Sequence, residues 1–158
     1  MDIEYMIQVK NNPVINFKNE PMAISDIEKL EKKYNKGNEF PKAFREFLFL
    51  AGDFNNFAFD DLGEGMDKLQ EIANKELDRT NQKVDRPFFA FDVYDSCYSV
   101  IFLDETNDDP NVYHIDVYGA KEGAVPLVQI PTGGFKENYT FTELVNESIR
   151  RVKYNIAF

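Results

Sequence analysis

Apolar residues recur at the spacing of one helical face in four parts of the chain. In the second of these, Phe44, Phe47 and Leu48 fall on one side of a segment. Pro41 can begin that helix, because the fixed φ of proline suits the first turn, and Gly52 marks its end. The spacing predicts helices over residues 25–37, 41–52, 66–77 and 140–156.

Two of these helices begin with the sequence of a capping box. Ser25 and Thr140 are each followed three residues later by a glutamate, Glu28 and Glu143. The hydroxyl and the carboxylate of such a pair can bond two free backbone N–H groups reciprocally, so we expect both boxes to fix the start of their helix. Gly37 can take the left-handed conformation that ends the first helix.

The period of the apolar pattern changes after Pro87. Residues 88–93, 98–103 and 112–118 are rich in aromatic and β-branched residues and are separated by turn-forming residues, which is typical of short strands. The middle strand is apolar on both alternating faces, so we expect it at the centre of a sheet. Shorter patterns predict strands or extended segments at residues 6–9, 54–62 and 127–130.

The order of these elements predicts the fold class. Helices, then a group of strands and a closing helix indicate an α+β fold, with a twisted, mostly antiparallel sheet of about five to six strands flanked by about four helices. A length of 158 residues suits a single domain. We expect residues 1–23 to form an irregular N-terminal segment packed on the domain of residues 24–158.

The composition favours a folded protein of the cytoplasm. Its 15 Phe and 8 Tyr are far more than disordered chains carry. The longest apolar run, near residues 47–51, is shorter than the ~20 residues that cross a bilayer, and residues 1–23 lack the order of a signal peptide. Cys97 is the only cysteine, so the chain can form no internal disulfide. We therefore expect a cytoplasmic protein that does not bind membranes.

The charge of the chain is unevenly distributed. There are 28 acidic and 18 basic residues, which gives a formal net charge of -10. Lys and Arg are absent from residues 46–67 and again from residues 87–120, where acidic residues are frequent. Such a surface repels nucleic acid and attracts a basic protein. The alternative is that these acidic residues only make loops and strand ends hydrophilic and bind no partner. The pattern is equally compatible with it.

His114 and Asp116 are the residues that point most directly to catalysis. They lie two apart on a predicted strand, so both project from one face, as in a general base beside a carboxylate. A hydrolase built on this pair stays open as a third hypothesis, although the chain has no nucleophile elbow. Cys97 is a poor nucleophile, because nearby carboxylates such as Asp92 and Asp95 would raise the pKa of its thiol.

The acidic run from Asp104 to Asp109 resembles a calcium loop in composition alone. An EF-hand that began at Asp104 would need glycine at the position of Asp109 and glutamate at that of Ile115. We therefore expect an acidic hairpin loop here, and neither a metal nor a cofactor.

Several segments resemble the SUKH superfamily, the Smi/Knr-like proteins. Residues 24–31, Ile-Ser-Asp-Ile-Glu-Lys-Leu-Glu, and residues 40–48, Phe-Pro-Lys-Ala-Phe-Arg-Glu-Phe-Leu, are similar to the two helices that open the family's fold. Residues 89–92 with 98–100, and residues 112–116, resemble its strands, and residues 141–145 its terminal helix. The chain departs from the family after the second helix, where Ala-Gly-Asp-Phe-Asn-Asn replaces an Asn-Gly-Gly type of turn.

The resemblance implies a protein that binds another protein and is not an enzyme. Members of this superfamily serve widely as bacterial immunity proteins that neutralise polymorphic toxins, and its fungal relatives are regarded as regulatory scaffolds; both functions are open for this chain. We expect a basic, cognate protein toxin bound by occlusion, and a monomer or weak dimer. The expected binding face combines acidic residues with an exposed tyrosine: Asp60, Asp61, Asp92, Tyr94, Asp95, Asp104, Glu105, Asp108 and Asp109.

Overall fold

The computed structural model describes residues 1–11, 18–57, 59, 61–118, 127–129 and 139–156. In these residues the helices are α1 (Ile7–Asn11), α2 (Ile24–Tyr34), α3 (Lys42–Ala51), α4 (Met66–Arg79) and α5 (Phe141–Tyr154). The strands are β1 (Phe88–Tyr94), β2 (Cys97–Phe102), β3 (Tyr113–Asp116) and β4 (Leu127–Gln129), and they form one antiparallel sheet in the order β1-β2-β3-β4. The predicted α+β class is confirmed.

The sheet separates two hydrophobic clusters. On one face, Phe89 and Ile101 belong to the main core, to which α1, α2, α3 and α5 also contribute. On the other face, Val100 and Ile115 pack against the apolar side of α4, which includes Leu69. β2 lies between β1 and β3, and every residue of β2 after Cys97 is buried, as expected of a central strand.

The main core is built around the ring of Phe44. This side chain is fully buried, as are Phe47 and Leu48, so the helical spacing predicted for α3 is confirmed. Five aromatic rings have centroids between 5.3 and 6.3 Å from that of Phe44, at Phe40, Phe47, Phe89, Phe91 and Phe141. Offset and edge-to-face ring pairs at such distances add specific contacts to the burial of apolar area.

The two predicted capping boxes have different outcomes. At α5 the hydroxyl of Thr140 accepts the N–H of Glu143 at 3.3 Å, and the carboxylate of Glu143 accepts the N–H of Thr140 at 3.1 Å. This box is complete. α2 begins at Ile24 with Ala23 as its N-cap, so Ser25 lies inside the helix and the box predicted for it is wrong.

Two predicted strands do not form in the described residues. Met6 and Val9 are buried three positions apart because residues 7–11 are the helix α1 and not an edge strand. Among the described residues of the segment 54–62, which omit residues 58 and 60, the only strand pairing is an isolated bridge between Glu20 and Phe54, and Phe57 and Phe59 belong to the main core. The described residues therefore hold four strands and five helices, against the expected sheet of about five to six strands and about four helices. Ile130, the predicted end of the fourth strand, lies outside the described residues.

Two glycines follow helices for different reasons. Gly37 has a φ of 84°, in the left-handed region that favours glycine. Gly52 has helical values, with φ of -76° and ψ of -26°. A Cβ atom at residue 52 would lie 2.5 Å from the carbonyl oxygen of Leu48 and 2.9 Å from the Cβ of Met22. Residue 52 is therefore glycine because the backbone of Leu48 and the side chain of Met22 both lie too close for a Cβ atom.

A buried carboxylate attaches the N-terminal segment to the helices. Glu46 of α3 is fully buried and accepts the N–H groups of Glu4, Tyr5 and Met6 at 3.0, 2.8 and 2.9 Å. These donors lie at the start of α1, where a negative charge is favourable. In the part of the chain that the structure describes, no helix has the length and apolar composition needed to cross a bilayer.

Candidate functional site

One face of the sheet carries two rows of polar residues beyond the aromatic core. Strand register places Asp92 opposite Ser99 and Ser99 opposite His114, and the next row contains Tyr94, Cys97 and Asp116. Paired residues project from the same face of a sheet, and so do residues two apart along a strand. We call the surface formed by these residues and the turn that joins β1 to β2 the hairpin-end face: Asp92, Tyr94, Asp95, Cys97, Ser99, His114 and Asp116.

A two-residue turn holds Tyr94 at the tip of this face. Asp95 and Ser96 have φ values of 47° and 64°, and positive φ at both central residues is typical of the type I′ hairpin. The turn fixes Tyr94 opposite Cys97. Tyr94 is 83% exposed, the largest value for any large hydrophobic side chain in the described residues. The hairpin therefore presents an aromatic ring to solvent beside the carboxylate of Asp95.

The hairpin-end face is acidic. None of the residues of β1 to β4 is Lys or Arg. Burial raises the pKa of the Cys97 thiol, and the carboxylates of Asp116 and Asp92 raise it further, in the predicted direction. Burial lowers the pKa of His114, so its imidazole is neutral at pH 7 and does not offset these carboxylates.

The same face does not assemble a nucleophile and a base. Ser99 donates its hydroxyl proton to Asp92 at 3.3 Å, and Asp116 accepts the N–H of Tyr118 at 2.9 Å. Within the described ranges no hydrogen bond joins His114 to Ser99 or to Cys97, whereas an activated nucleophile lies within ~2.6–3.2 Å of its base. Nor do three or more His, Cys, Asp or Glu side chains of the described residues converge closely enough to hold a metal ion.

The first two residues of the acidic loop after β2, Asp104 and Glu105, form hydrogen bonds with other residues of the protein. Arg86 donates to Asp104, with a shortest distance of 2.6 Å, and this contact lowers the pKa of the Asp104 carboxyl. Glu105 accepts the hydroxyl proton of Tyr113 at 2.7 Å and a proton of Arg86 at 3.3 Å. The guanidinium of Arg86 also lies over the ring of Phe102, 3.8 Å from its centroid. Arg86 therefore fixes the start of the loop.

The end of the loop caps two helices. The carbonyl of Asp108 accepts the N–H of Ala43 in the first turn of α3 at 2.8 Å. The carboxylate of Asp109 accepts the N–H of Thr142 in the first turn of α5 at 2.9 Å. Asp109 therefore stabilises a helix end, while the carboxylate of Asp108 is exposed.

The eight described residues of the nine expected on a single binding face do not share one surface. Asp92, Tyr94 and Asp95 lie at the hairpin end of β2, and the loop of residues 104–109 follows the opposite end of that strand. Asp61 accepts the N–H of Gly63 at 2.9 Å in the turn before α4. Asp60 lies outside the described residues. The prediction of one continuous acidic face is corrected: its described residues are divided between the hairpin end of β2, the loop after the other end of β2 and the turn before α4. Of these residues, Tyr94 at the hairpin end is 83% exposed.

The sequence placed His114 and Asp116 on one face and Asp92 near Cys97, but it did not show that these two pairs and Ser99 share the same face of the sheet. The length of the turn could have given the pairing of Asp92 with Ser99 and of Tyr94 with Cys97, because a two-residue hairpin fixes the register next to the turn. The register shifts between Ala90 and Asp92, and the turn gives no signal for the pairing of β2 with β3. Arg86 was missed because it stands one residue before the stretch without Lys and Arg.

No protein-family model matches the chain, and a search of curated proteins gave no match. The family resemblance of its sequence therefore stays a prediction.

Proposed function

We propose that the chain is a non-enzymatic, SUKH-like protein-binding domain, which serves in the cytoplasm as an immunity protein and neutralises a cognate toxin by occluding it. The observation that supports this most is the hairpin-end face, where Tyr94 is 83% exposed among carboxylates. Tyrosine is enriched among the residues that dominate binding energy in protein interfaces, because it buries a large ring and keeps a polar tip.

The partner that this face fits is a basic protein. The strands supply Asp92 and Asp116, the turn supplies Asp95, and no Lys or Arg stands in the strands themselves. Opposite charges steer two proteins together and raise their association rate, and salt screens the attraction over a distance of ~10 Å. Association with the toxin should therefore be fast at low salt and slower at high salt.

The alternative is a regulatory scaffold that binds a cellular protein through the same face. The two functions need the same contacts and differ only in the partner. The hydrolase hypothesis gains no support from the geometry, since no hydrogen bond among the described residues gives His114 a nucleophile.

Co-expression with the product of the adjacent gene tests the proposal. If that product is the toxin, it should stop growth alone, and the chain should restore growth and co-purify with it. A neighbour that is not toxic, together with a stable complex between the chain and a cellular protein, would favour the scaffold. Growth arrest that the chain does not relieve, with no complex on purification, would contradict the immunity function.

The role of the hairpin-end face is tested by Asp95→Asn. Asparagine tolerates the positive φ of this position, so the substitution removes charge without straining the turn. We expect the association rate to fall roughly threefold and its salt dependence to weaken. Glu28→Gln is the matched control, because Glu28 is an exposed acid on α2. Equal rates for the two variants would contradict the assignment. Charge reversal at Asp104 or Asp109 is a poorer test, since both carboxylates hold internal contacts.

A further inference from the structure

One edge of the sheet is open where β1 meets its turn. β1 is an outer strand of the sheet, and among the described residues only β2 pairs with it. A two-residue turn makes Tyr94 and Cys97 a hydrogen-bonded pair, and bonded and non-bonded pairs alternate along an antiparallel ladder. The next pair, Val93 and Tyr98, is therefore not hydrogen-bonded, so the N–H and the C=O of Val93 point away from β2. No described residue bonds either group.

The protein itself covers the rest of this edge. The N–H of Ala90, which also points away from β2, donates to the side-chain oxygen of Gln70 on α4 at 2.6 Å. Ala90 and Phe91 are fully buried, and the register shifts between Ala90 and Asp92. Covering groups and bulges are two ways in which proteins protect the edge of a sheet from pairing. Both lie before Val93, so only the last residues of β1 are open to another strand.

The side chains beside the open edge determine which residues a pairing strand should carry. Val93 is partly buried against the hydrophobic cluster between the sheet and α4, so a residue paired with it would project to that side and should be apolar. The preceding residue of an antiparallel strand would lie opposite Tyr94, whose ring is 83% exposed, and beside the exposed Asp95. An arginine there would place its guanidinium over the ring and near the carboxylate.

A second copy of the chain suits this edge less well than a basic segment does. Antiparallel pairing of two β1 strands about Val93 would place Asp92 of each copy opposite Tyr94 of the other and close to its Asp95. None of the residues of β1 to β4 is Lys or Arg, so the strands supply no cation to compensate these carboxylates. Like charges that face each other across a ladder are destabilising. The charge of the edge therefore favours a partner strand with basic side chains.

We propose that the open edge of β1 binds an extended segment of the partner protein as an added antiparallel strand. One apolar residue of the segment exchanges two backbone hydrogen bonds with Val93, and the arginine before it lies on the ring of Tyr94. In this mode of recognition the backbone bonds contribute affinity, and the alternating side chains contribute specificity. The segment thus lies along the rim of the hairpin-end face and specifies how that face holds a basic protein.

The probe for this edge is the peptide acetyl-Thr-Arg-Val-Arg-Thr-amide, titrated into the isotope-labelled full chain. We expect the amide of Val93 to exchange rapidly in the unbound chain, to shift saturably with the peptide and to exchange more slowly when it is bound, while the bonded amide of Ala90 exchanges slowly throughout. The matched control carries N-methylvaline, which keeps the charge and lacks the N–H. Its dissociation constant should be roughly tenfold higher or more. Citrulline in place of the first arginine should raise the constant roughly threefold or more.

Two results with these peptides would overturn the inference. One is binding of the N-methylated or the citrulline peptide as tight as that of the parent peptide. The other is slow exchange of the amide of Val93 in the unbound chain, which would show that a second copy or another part of the chain already covers the edge.

Two substitutions of Val93 test the edge from the side of the protein. Val93→Pro removes the outward N–H, and proline is tolerated on an edge strand where this group faces solvent. Val93→Thr keeps the N–H and the shape of the side chain, and it is the control. We expect the peptide to bind Val93→Pro roughly tenfold or more weakly than Val93→Thr, with circular dichroism showing that both are folded. Equal affinity for the two variants would contradict the pairing, and the N-methylated peptide decides the question if Val93→Pro does not fold.

The inference rests on the protein-binding function proposed above, and the same variants separate the two. A partner protein that binds Val93→Pro roughly tenfold more weakly than Val93→Thr supports both. A partner that binds these two variants equally, and binds Tyr94→Ala more weakly than the unmodified chain, overturns the added strand and keeps the protein-binding function. If no partner protein binds while the peptide saturates the edge, the site stands and the proposed function fails.

Discussion

Substitution of Glu46 with alanine should release the N-terminal segment from α3. The buried carboxylate accepts three backbone N–H groups, those of Glu4, Tyr5 and Met6. A hydrogen bond to a charged group contributes ~1.5–3 kcal/mol, but the full sum is not lost, because a detached segment returns its N–H groups to water. The loss in the free energy of unfolding is therefore limited by the free energy of detaching the segment, which depends on the apolar side chains that detachment exposes.

The side chains that detachment would expose are Met6 and Val9, which are 1% and 6% exposed. Burial of each contributes ~1.5–3 kcal/mol, and the freed residues regain chain entropy. We therefore expect Glu46→Ala to lower the free energy of unfolding by about 3 kcal/mol. For a domain of this size that corresponds to a fall of about 6–12 °C in melting temperature.

Urea denaturation followed by circular dichroism measures this loss, and hydrogen exchange of the amides of residues 4–6 locates it. Glu46→Gln should cost about half as much, because its amide oxygen can still accept from Tyr5 and Met6 while its amide nitrogen faces the N–H of Glu4. Glu28→Gln, at an exposed position, is the control and should stay within ~0.5 kcal/mol of the unmodified protein. An alanine variant as stable as this control, with unchanged exchange at residues 4–6, would refute the reasoning.

Three further substitutions test other contacts. Thr140→Ala breaks the capping box of α5 and should cost ~1 kcal/mol in urea denaturation; no measurable loss would show that the box is not formed. Gly52→Ala forces a Cβ against Leu48 and should cost ~1–3 kcal/mol, measured as a lower melting temperature; an unchanged or higher value would contradict that close contact. Arg150 and Arg151 lower the pKa of Glu147 from 4.5 to about 2, so its ion pairs stabilise the fold above pH 4.5 and this contribution is lost as the pH falls toward 2. Glu147→Gln should therefore flatten the pH dependence of unfolding in that window only, and an unchanged slope there would count against the pairing.

The elements that could be predicted from the sequence are those whose signals are local. The helical spacing of apolar residues predicted α3 and α5. In α3 Phe44, and in α5 Phe141, lies with other apolar residues on one buried face of its helix. Capping at Thr140 was predictable for the same reason, since the box spans only four residues. The β1–β2 hairpin followed from aromatic and β-branched residues on both sides of a short turn.

Long-range contacts could not be predicted from local pattern. The aromatic residues Phe57 and Phe59 resemble a strand in the sequence, yet they fill the main core from an irregular segment. In the sequence nothing distinguishes Glu46 from an acidic residue of the surface. The backbone N–H groups whose hydrogen bonds it accepts lie 40 to 42 residues away along the chain. Asp109 likewise caps a helix that begins 32 residues later, at Phe141. The number of carboxylates in a sequence does not show which of them form internal contacts and which lie on a binding face. For this reason the acidic residues predicted to form one face lie in separate parts of the structure.

The binding affinity of the partner for Tyr94→Ala tests the central claim most directly. Calorimetric titration of the chain with the product of the adjacent gene gives the dissociation constant, and Tyr154→Ala, at another exposed tyrosine on α5, is the matched control. If the hairpin-end face holds the partner, Tyr94→Ala should raise the dissociation constant about 30-fold or more, as loss of an anchor worth ~2 kcal/mol would, while Tyr154→Ala changes it less than about twofold. Equal constants for the two variants would place the interface elsewhere and contradict the claim.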